Sequence, residues 1–313
     1  MTVINAGGGA ALPGLGRLIV STLVDSGSGM EKDEMLRTLL PESLHTGKNP
    51  LSNIDATLLA LKDIGITEER DAKVLLAPQA QTMLREPQIT RSAYRKLLQR
   101  FMFSAADSDP WRLAAGDTLT SGTKDINRAL SWSLAQDVRS TLTWDKANGG
   151  SVSVELVQQD QLPNNPDLRP FANGVRWGAF MRWAAALGMA QPAFQRTGIY
   201  PDATVAVRDL VNEMPHGRQT IDRFLETLAT RLPVLSGGAL HRGFLQLTPV
   251  NPDPDAAAGL LDTTVAQAIL ALEDEGVLNL PIPQADAASR TIGLGAASPR
   301  RVTHIEVSKG HSQ

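Results

Sequence analysis

Hydrophobic residues recur at helical spacing in three successive segments near the start of the chain, and these segments predict helices over 13–25, 31–40 and 52–64. Pro13 suits a first helical turn, and Gly65 suits a left-handed cap at the end of the third helix. Two short apolar runs around a charged turn at 68–71 then predict a β-hairpin. Three helices and a hairpin in about 70 residues are typical of a winged helix-turn-helix domain.

The centre of the third helix is repeated near the other end of the chain. The phrase TLLALKDIGI at Thr57–Ile66 returns as AILALEDEGV at Ala268–Val277. Around this second copy, apolar spacing predicts helices over 220–231 and 264–276, with a short element at 239–244. Residues 277–280 are expected to pair with either 290–294 or 302–307. We therefore expect a second winged-helix-like domain with a longer wing.

The middle of the chain is predicted to be mainly helical. An amphipathic helix is expected over 91–103, with further helices over 123–139 and 170–188, and a strand where residues alternate over 151–157. Aromatic residues spaced along the last of these helices predict a core face. The expected fold class is mainly α with small β-hairpins (α+β). The expected domains are a winged helix at 1–85, a Trp-rich helical domain at 86–217 and the second winged helix at 218–313.

Length, composition and charge limit the number of domains, the cellular location and the regions that could bind a polyanion. The length of 313 residues fits two or three domains, and the absence of cysteine excludes disulfides and thiolate metal sites. No signal-peptide pattern or long apolar run is present, so we expect a cytoplasmic protein without a membrane partner. The net charge is −3, and the acidic excess lies in residues 101–280. A polyanion would therefore meet the two ends of the chain more readily than its middle.

No motif in the sequence predicts catalysis, a metal or a cofactor. The five histidines lack the spacing of metal ligands, and no nucleophile elbow of the Gly-x-Ser-x-Gly type occurs. Asn251, Asp253 and Asp255 alternate as in a calcium loop, but Ala256 stands where such a loop needs glycine. We expect a rigid polar loop there. An enzyme with an unrecognised site in the Trp-rich middle remains one alternative.

The two repeated helices have poor surfaces for reading bases. The face of the third helix that we expect to point outward is small or acidic, and comprises Ser52, Asn53, Ala56, Leu59, Ala60 and Asp63. The same face of the second copy comprises Ala266, Gln267, Leu270, Glu273 and Asp274. Base readout favours Arg, Lys, Asn and Gln, and phosphates repel carboxylates. Leu59 and Leu270 are therefore candidates for a protein interface, unless each packs on its own wing.

Basic residues elsewhere are better candidates for contact with nucleic acid. Arg91 and Arg95 flank one side of the apolar face of the 91–103 helix, and Lys96 and Arg100 flank the other. This pattern fits a phosphate-contacting helix, but it is more often an ordinary solvated surface, because charges commonly flank an apolar helix face. The remaining candidates lie in the loop before the third helix and on the predicted wings: Lys48, Lys73, Arg290, Arg300 and Arg301.

Several short segments together resemble one protein family, DpdG. They are Ile4 and Asn5, Leu12 and Pro13, the segment Leu15–Ile19 (LGRLI), and the segment Phe180–Gly188 (FMRWAAALG). DpdG is an accessory protein of a bacterial gene cluster that inserts 7-deazaguanine bases into DNA and restricts unmodified DNA. The resemblance implies a partner of helicase, ATPase and nuclease subunits in antiphage defence, and it supplies no catalytic residues.

The sequence thus favours one function over the enzyme alternative given above and over a DNA-binding regulator. The expected function is a non-catalytic winged-helix adaptor or DNA-contacting subunit of a bacterial DNA-processing or antiphage restriction assembly. Its expected partners are other protein subunits and double-stranded DNA. A stand-alone DNA-binding transcriptional regulator is the alternative, but it requires a basic recognition face that neither repeated helix has.

Overall fold

The structure is a computed structural model that describes residues 3–4, 9–45, 49–84, 88–103, 111, 122–144, 151–194, 197–294 and 298–308. Contacts divide the chain into two compact units. The first comprises Met1–Ile126 and Asn173–Leu187, and the second comprises Asn127–Ala172 and Gly188–Gln313. Helices and several small sheets make up the described chain, which confirms the α+β class. The division into three domains stays a prediction.

The elements of the chain up to residue 144 are, in order, α1 (Pro13–Ser26), β1 (Met30–Glu31), α2 (Lys32–Leu39), a 3-10 turn (Glu42–Leu44), α3 (Ser52–Ile64), β2 (Thr67–Arg70), β3 (Lys73–Leu76), α4 (Pro78–Met83), α5 (Arg91–Phe103), α6 (Lys124–Leu134) and β4 (Thr141–Thr143). The predicted helices at 13–25, 31–40, 52–64 and 91–103 are confirmed within a residue or two.

The remaining elements are β5 (Ser151–Ser153), α7 (Val154–Gln161), a 3-10 turn (Pro166–Leu168), α8 (Gly174–Ala186), β6 (Ala190–Pro192), β7 (Gly198–Pro201), α9 (Thr204–Val211), β8 (Gly217–Thr220), α10 (Ile221–Arg231), α11 (Ala239–Leu245), α12 (Pro254–Ala257), α13 (Thr263–Asp274), β9 (Leu278–Asn279), β10 (Arg290–Ile292), β11 (Arg300–Val302) and β12 (His304–Val307).

The first unit is assembled around α1, which contacts α2, α3 and α8. Two buried side-chain hydrogen bonds tie segments that are distant in sequence. The indole Nε1 of Trp183 in α8 donates to the carbonyl oxygen of Ala11 at 3.1 Å. The amide Nε2 of Gln99 in α5 donates to the carbonyl oxygen of Leu187 at 2.8 Å. The aromatic stripe of α8 is therefore part of the core, as its spacing predicts.

The same order of elements occurs once in each unit. In the first unit it is α1, β1, α2, α3, β2 and β3, with an antiparallel sheet of order β1-β3-β2. In the second unit it is α9, β8, α10, α13, β9 and β12, with an antiparallel sheet of order β8-β12-β9. The second copy also contains α11 and α12 before α13, and the β10–β11 hairpin between β9 and β12.

Matching glycine caps end α3 and α13. Gly65 has φ +89° and Gly276 has φ +71°, which only glycine adopts without strain. The residue after each glycine donates its amide to a carbonyl five positions back, Ile66 to Leu61 and Val277 to Leu272, both at 2.9 Å. Each helix therefore turns directly into the strand that follows it. Of the two predicted partners for residues 277–280, the 302–307 segment is confirmed.

The second unit also contains a sheet that the sequence did not predict. Its strand order is β5-β4-β7-β6, and β4 and β5 are parallel. The strand predicted over 151–157 is wrong after Ser153, because α7 begins at Val154. Val154 and Gln158, four positions apart, are buried, whereas Leu156 is 57% exposed, so burial follows a helical period. The helix predicted over 123–139 ends at Leu134, because the Asp137 side chain holds a turn around Arg139.

Candidate functional site

A groove on the first unit lies where the sequence predicts an interaction surface. It has a volume of about 280 Å³ and lies between α2, α3 and the β2–β3 hairpin. We call it the α3 groove. Leu59 is half-buried in it, beside the buried Leu58 and Val74. The apolar part of the groove therefore comes from both the helix and its hairpin.

Two ion pairs border the α3 groove. Lys32 Nζ lies 2.7 Å from Asp55 Oδ1, and Lys62 Nζ lies 2.6 Å from Glu69 Oε2. The hydrogen bond from Lys62 lowers the pKa of the Glu69 carboxyl. All four side chains are about half exposed, so the pairs contribute little stability. The pairs do change the charge of the groove, because Asp55 and Glu69 neutralise the two lysines at its rim.

Burial corrects part of the predicted outward face of α3. Ala56 and Ala60 are buried, whereas Asn53 is exposed and Ser52, Leu59 and Asp63 are half-buried. The apolar spacing of α3 did not predict the burial of Ala56 and Ala60, because α3 contacts α1 on one side and β2 on another. More than one face of the helix is therefore covered. The surface that α3 leaves to a partner is therefore narrower than its sequence indicates.

The second unit has an ion pair of opposite polarity at the matching position of its third helix, formed with the additional β10–β11 hairpin. Leu270 of α13, which matches Leu59 in the repeated phrase, is also half-buried. Glu273 matches Lys62, and it forms an ion pair with Arg300 on β11. In each copy, one ion pair thus joins the third helix to a β-hairpin. Ala266, predicted to face outward, is buried, because α13 packs against α9.

Helix α5 carries the main basic candidates in the first unit. Tyr94, Leu97, Leu98 and Phe101 are buried, as predicted for its inner face. Arg91 and Arg100 are exposed, and neither forms an ion pair with any residue that the structure describes. The neighbouring Arg95 and Lys96 are half-buried. Contact with phosphates through this helix stays a prediction.

The other basic candidates are distributed over both units. Lys48 lies outside the described residues, and Lys73 is exposed on β3. Arg290 Nε donates to Asp222 Oδ1 at 2.9 Å, and Arg301 Nη2 donates to the carbonyl oxygens of Ala285 and Ala287 at 3.2 Å. Like Arg300, these two arginines have partners in their own unit. A phosphate would have to compete with those partners, and their contact with DNA stays a prediction.

The polar loop around Asp253 has a structural role. Asp253 is fully buried, and its Oδ1 accepts the amides of Asp255 and Ala256 at 2.9 and 3.0 Å. Its Oδ2 accepts the amide and the hydroxyl of Thr263 at 2.8 and 2.6 Å. These donors saturate the carboxylate. Within the described residues, no group of three or more histidine, aspartate or glutamate side chains is placed to hold a metal ion.

The sequence did not single out a buried pair of polar side chains behind this loop. His241 Nε2 lies 3.8 Å from Asp262 Oδ2, which is too long for a hydrogen bond, and both side chains are nearly inaccessible. Burial and the neighbouring Asp253 raise the pKa of Asp262 to about 8. Burial and the neighbouring Arg242 lower the pKa of His241 to about 4. Both groups are therefore mainly neutral at pH 7.

The sequence contains a signal for only one member of this pair. Asp262 precedes Thr263 and Thr264 at the start of an apolar helix, which is the pattern of an N-cap. Its Oδ1 accepts the amides of Thr264 and Val265 at 3.1 and 3.4 Å. No pattern marks His241, because its position depends on how α11 packs in the second unit.

Comparison with known proteins identifies the family of the chain. Searches of the curated proteins and of the solved structures each found no match. None of the helices in the described part of the chain is long and apolar enough to cross a membrane. The sequence model of one family, described as DpdG-like, matches residues 1–287. This match spans the first unit and most of the second, and the chain belongs to the DpdG-like family.

Proposed function

We propose that this protein is a non-catalytic adaptor subunit, built on two winged-helix domains, of a bacterial DNA-modification and restriction assembly. Membership of the DpdG-like family suggests association with the Dpd modification system. The observation that carries the adaptor role is the α3 groove. In winged-helix proteins the third helix reads DNA. Here the corresponding helix, α3, presents the half-buried Leu59, and two ion pairs neutralise the lysines of the groove.

The winged-helix part of the proposal rests on the order of elements. Winged helices carry a small antiparallel sheet beside three helices, and the third helix leads directly into the wing. The order α1, β1, α2, α3, β2, β3 has this form, and the second unit repeats it from α9 to β12. The repeat of sheet order and of glycine caps supports two copies more strongly than the shared phrase alone.

The electrostatics of the third helices favour a protein partner over DNA. DNA binding requires basic groups that are available to phosphates, and its strength depends on how many phosphates they neutralise. The only basic residue of α3 is Lys62, which forms an ion pair with Glu69, and α13 has no basic residue. A leucine surrounded by polar groups resembles the centre of a protein interface, where apolar anchors are enclosed by a polar rim.

Replacing Leu59 by arginine is expected to weaken the association of the protein with the ATPase or nuclease subunits of its assembly by about tenfold or more. The substitution removes an apolar anchor and brings a charge into the α3 groove. The measurement is quantitative co-purification of the tagged full chain with each subunit, followed by titration of the purified pair.

Leu18→Arg is the matched control for this experiment. Leu18 is a leucine of the same unit, on α1, that is 53% exposed and lies outside the α3 groove. It is expected to leave association unchanged, and circular dichroism establishes that both variants are folded. Equal association of Leu59→Arg and wild type would contradict the interface, and Leu270→Arg tests the corresponding position of the second unit separately.

Any contact with DNA is proposed to involve α5. Charge reversal of Arg91 and Arg100 together is expected to weaken duplex DNA binding by about tenfold. It should also reduce the salt dependence of binding, because fewer counterions are released from the DNA when fewer phosphates are contacted. These two residues are suitable targets because they are exposed and form no ion pair with described residues, so their replacement leaves the core intact. Binding is measured across a salt series.

Charge reversal of Arg37 and Arg223, two exposed arginines outside the candidate set, is the control with the same change in net charge. It is expected to have a much smaller effect. Equal effects of the two double variants would remove α5 as a DNA-contacting helix. Tight, sequence-selective binding by the isolated wild-type chain would contradict the adaptor proposal and favour the stand-alone regulator.

A further inference from the structure

A cleft in the second unit has no role in the proposed function. Its walls come from α10, α11, the segment 256–262 and β10, and its volume is about 810 Å³. We call it the α10 cleft. This volume lies within the range of clefts that bind small molecules or single side chains, about 300–1,000 Å³. Its walls combine apolar residues such as Leu225, Ala229 and Leu260 with several charged groups.

The basic groups of the α10 cleft already have partners. Arg290 Nε donates to Asp222 Oδ1 at 2.9 Å, and Arg242 Nη1 donates to the carbonyl oxygen of Gly237. Asp222 neutralises Arg290, whereas Arg242 uses only one of its five N–H donors for Gly237. The lining of the cleft contains three carboxyl groups, Asp222, Glu226 and Asp262, and two guanidinium groups, and this balance disfavours a phosphate or a carboxylate.

Two acidic groups of the α10 cleft lack a cationic partner among the described residues. Glu226 is exposed on α10 and forms no ion pair within the described part of the chain. Asp262 is 3% exposed and forms no ion pair with a lysine or arginine of the described residues; the His241 Nε2 lies 3.8 Å from its Oδ2. The cleft thus combines one carboxyl group at its surface with another that is almost completely buried.

The His241 ring adds an independent sign of unmet hydrogen bonding. It is 3% exposed, and neither ring nitrogen has a hydrogen-bond partner within the described residues. A buried polar atom without a partner destabilises the folded protein, so such atoms call for an explanation. This unsatisfied ring, beside a cleft of this size and a buried carboxyl group that has no counter-charge among the described residues, is consistent with a site whose ligand supplies hydrogen-bond donors.

We propose that the α10 cleft binds a guanidinium group at the end of an alkyl chain, with the guanidinium against Asp262 and the chain against Leu225 and Leu260. A guanidinium provides several planar donors for a carboxylate and is less strongly hydrated than an ammonium, which suits a buried acceptor. The source is either a free guanidino compound or an arginine side chain of a protein partner.

The electrostatics of the α10 cleft fit this ligand. Burial and Asp253 raise the pKa of Asp262, and neither the neutral His241 nor the adjacent Arg242 forms a hydrogen bond with its carboxyl group. A bound guanidinium would provide the missing counter-charge, so Asp262 would ionise as the ligand binds. Glu226 at the surface of the cleft would assist the approach of the cation.

Calorimetric titration of the full chain at pH 8 with butylguanidine, and with its uncharged analogue butylurea, tests the proposal. Butylguanidine is expected to bind at one site at least about tenfold more tightly than butylurea, because only the cation can pair with Asp262. Asp262→Asn is expected to abolish this preference while it keeps an N-cap acceptor for α13. Glu226→Gln should weaken binding several-fold, and it serves as the second variant if Asp262→Asn fails to fold.

Asp286→Asn, an exposed aspartate outside the cleft, is the control and should leave the titration unchanged. A short capped peptide containing one arginine, titrated in the same way, distinguishes the two sources. Tighter binding of the peptide identifies a protein partner, and tighter binding of butylguanidine identifies a free compound. Absence of a preference for butylguanidine over butylurea, or an unchanged preference in Asp262→Asn and Glu226→Gln, would overturn the proposal.

Discussion

Replacing Asp253 by alanine is expected to lower the free energy of unfolding of the second unit by about 3–5 kcal/mol. The carboxylate of Asp253 accepts four hydrogen bonds, from the amides of Asp255, Ala256 and Thr263 and from the Thr263 hydroxyl. Because Asp253 is fully buried, its removal would leave these donors without an acceptor in a region that water does not reach. The start of α13 would lose its attachment to the preceding loop.

Urea unfolding followed by circular dichroism measures this loss. Asp286→Ala removes an exposed carboxylate from the same unit and is expected to change stability by less than about 0.5 kcal/mol. A loss below about 1 kcal/mol in Asp253→Ala would contradict the structural role. Calcium should leave the stability of the wild type unchanged, because internal donors already occupy the carboxylate. A stabilisation by calcium that Asp253→Ala abolishes would support the calcium loop instead.

The free energy of unfolding of the wild type is expected to fall by about 2 kcal/mol between pH 6.5 and 8, and Asp262→Asn should remove this decrease. The pKa of Asp262 is raised from 3.8 to about 8 in the folded protein. Between these values the unfolded chain releases the proton while the folded protein keeps it, so rising pH favours unfolding. The stabilisation is complete below the unfolded pKa and is lost as pH rises through the folded value.

His241 produces the opposite dependence at lower pH. Its pKa is lowered from 6.5 to about 4, so below pH 6.5 the unfolded chain takes up a proton that the folded protein does not. Between pH 4 and 6.5 the two groups have opposite effects on the free energy of unfolding. Above pH 6.5 only the effect of Asp262 remains. Urea unfolding at several pH values measures the net result. Parallel pH profiles for the wild type and Asp262→Asn would show that Asp262 ionises normally.

Elements that depend on local signals were predictable from the sequence. Helices α1, α2, α3, α10 and α13 each have a clear apolar spacing and a local start or stop, such as Pro13 for α1 and Gly276 for α13. The β2–β3 hairpin follows from its position directly after Gly65. Membership of the family was also predictable, because the segments that carry the resemblance are continuous stretches of sequence, in or beside α1 and α8 and near the start of the chain.

Elements that depend on distant pairing were not predictable. Strands β4, β6 and β7 have three or four residues each, too few to establish an alternation, and the pairing of β4 with β7 joins segments far apart in sequence. Helix α9 was also missed, although Asp202 Oδ1 accepts the amide of Thr204 at 2.7 Å at its start. That aspartate two residues before the helix was an available signal.

The same distinction applies to the candidate sites. The position of Leu59 off the apolar stripe of α3 could be predicted from spacing alone. The ion pairs beside it could not, because Lys32 and Glu69 come from different elements and meet α3 only in the folded unit. The pair formed by His241 and Asp262 likewise depends on the packing of α11 against the start of α13.

The charge reversal between the two helix–hairpin ion pairs has a consequence for folding. The chain contains two similar helices, each of which forms an ion pair with a hairpin of its own unit, and such duplication invites exchange of parts during folding. If α3 met the β10–β11 hairpin, Lys62 would lie against Arg300, and α13 at the β2–β3 hairpin would bring Glu273 against Glu69. Both wrong combinations place like charges together, whereas both correct ones place opposite charges together. The two copies can therefore share an architecture and still assemble without exchanging their helices.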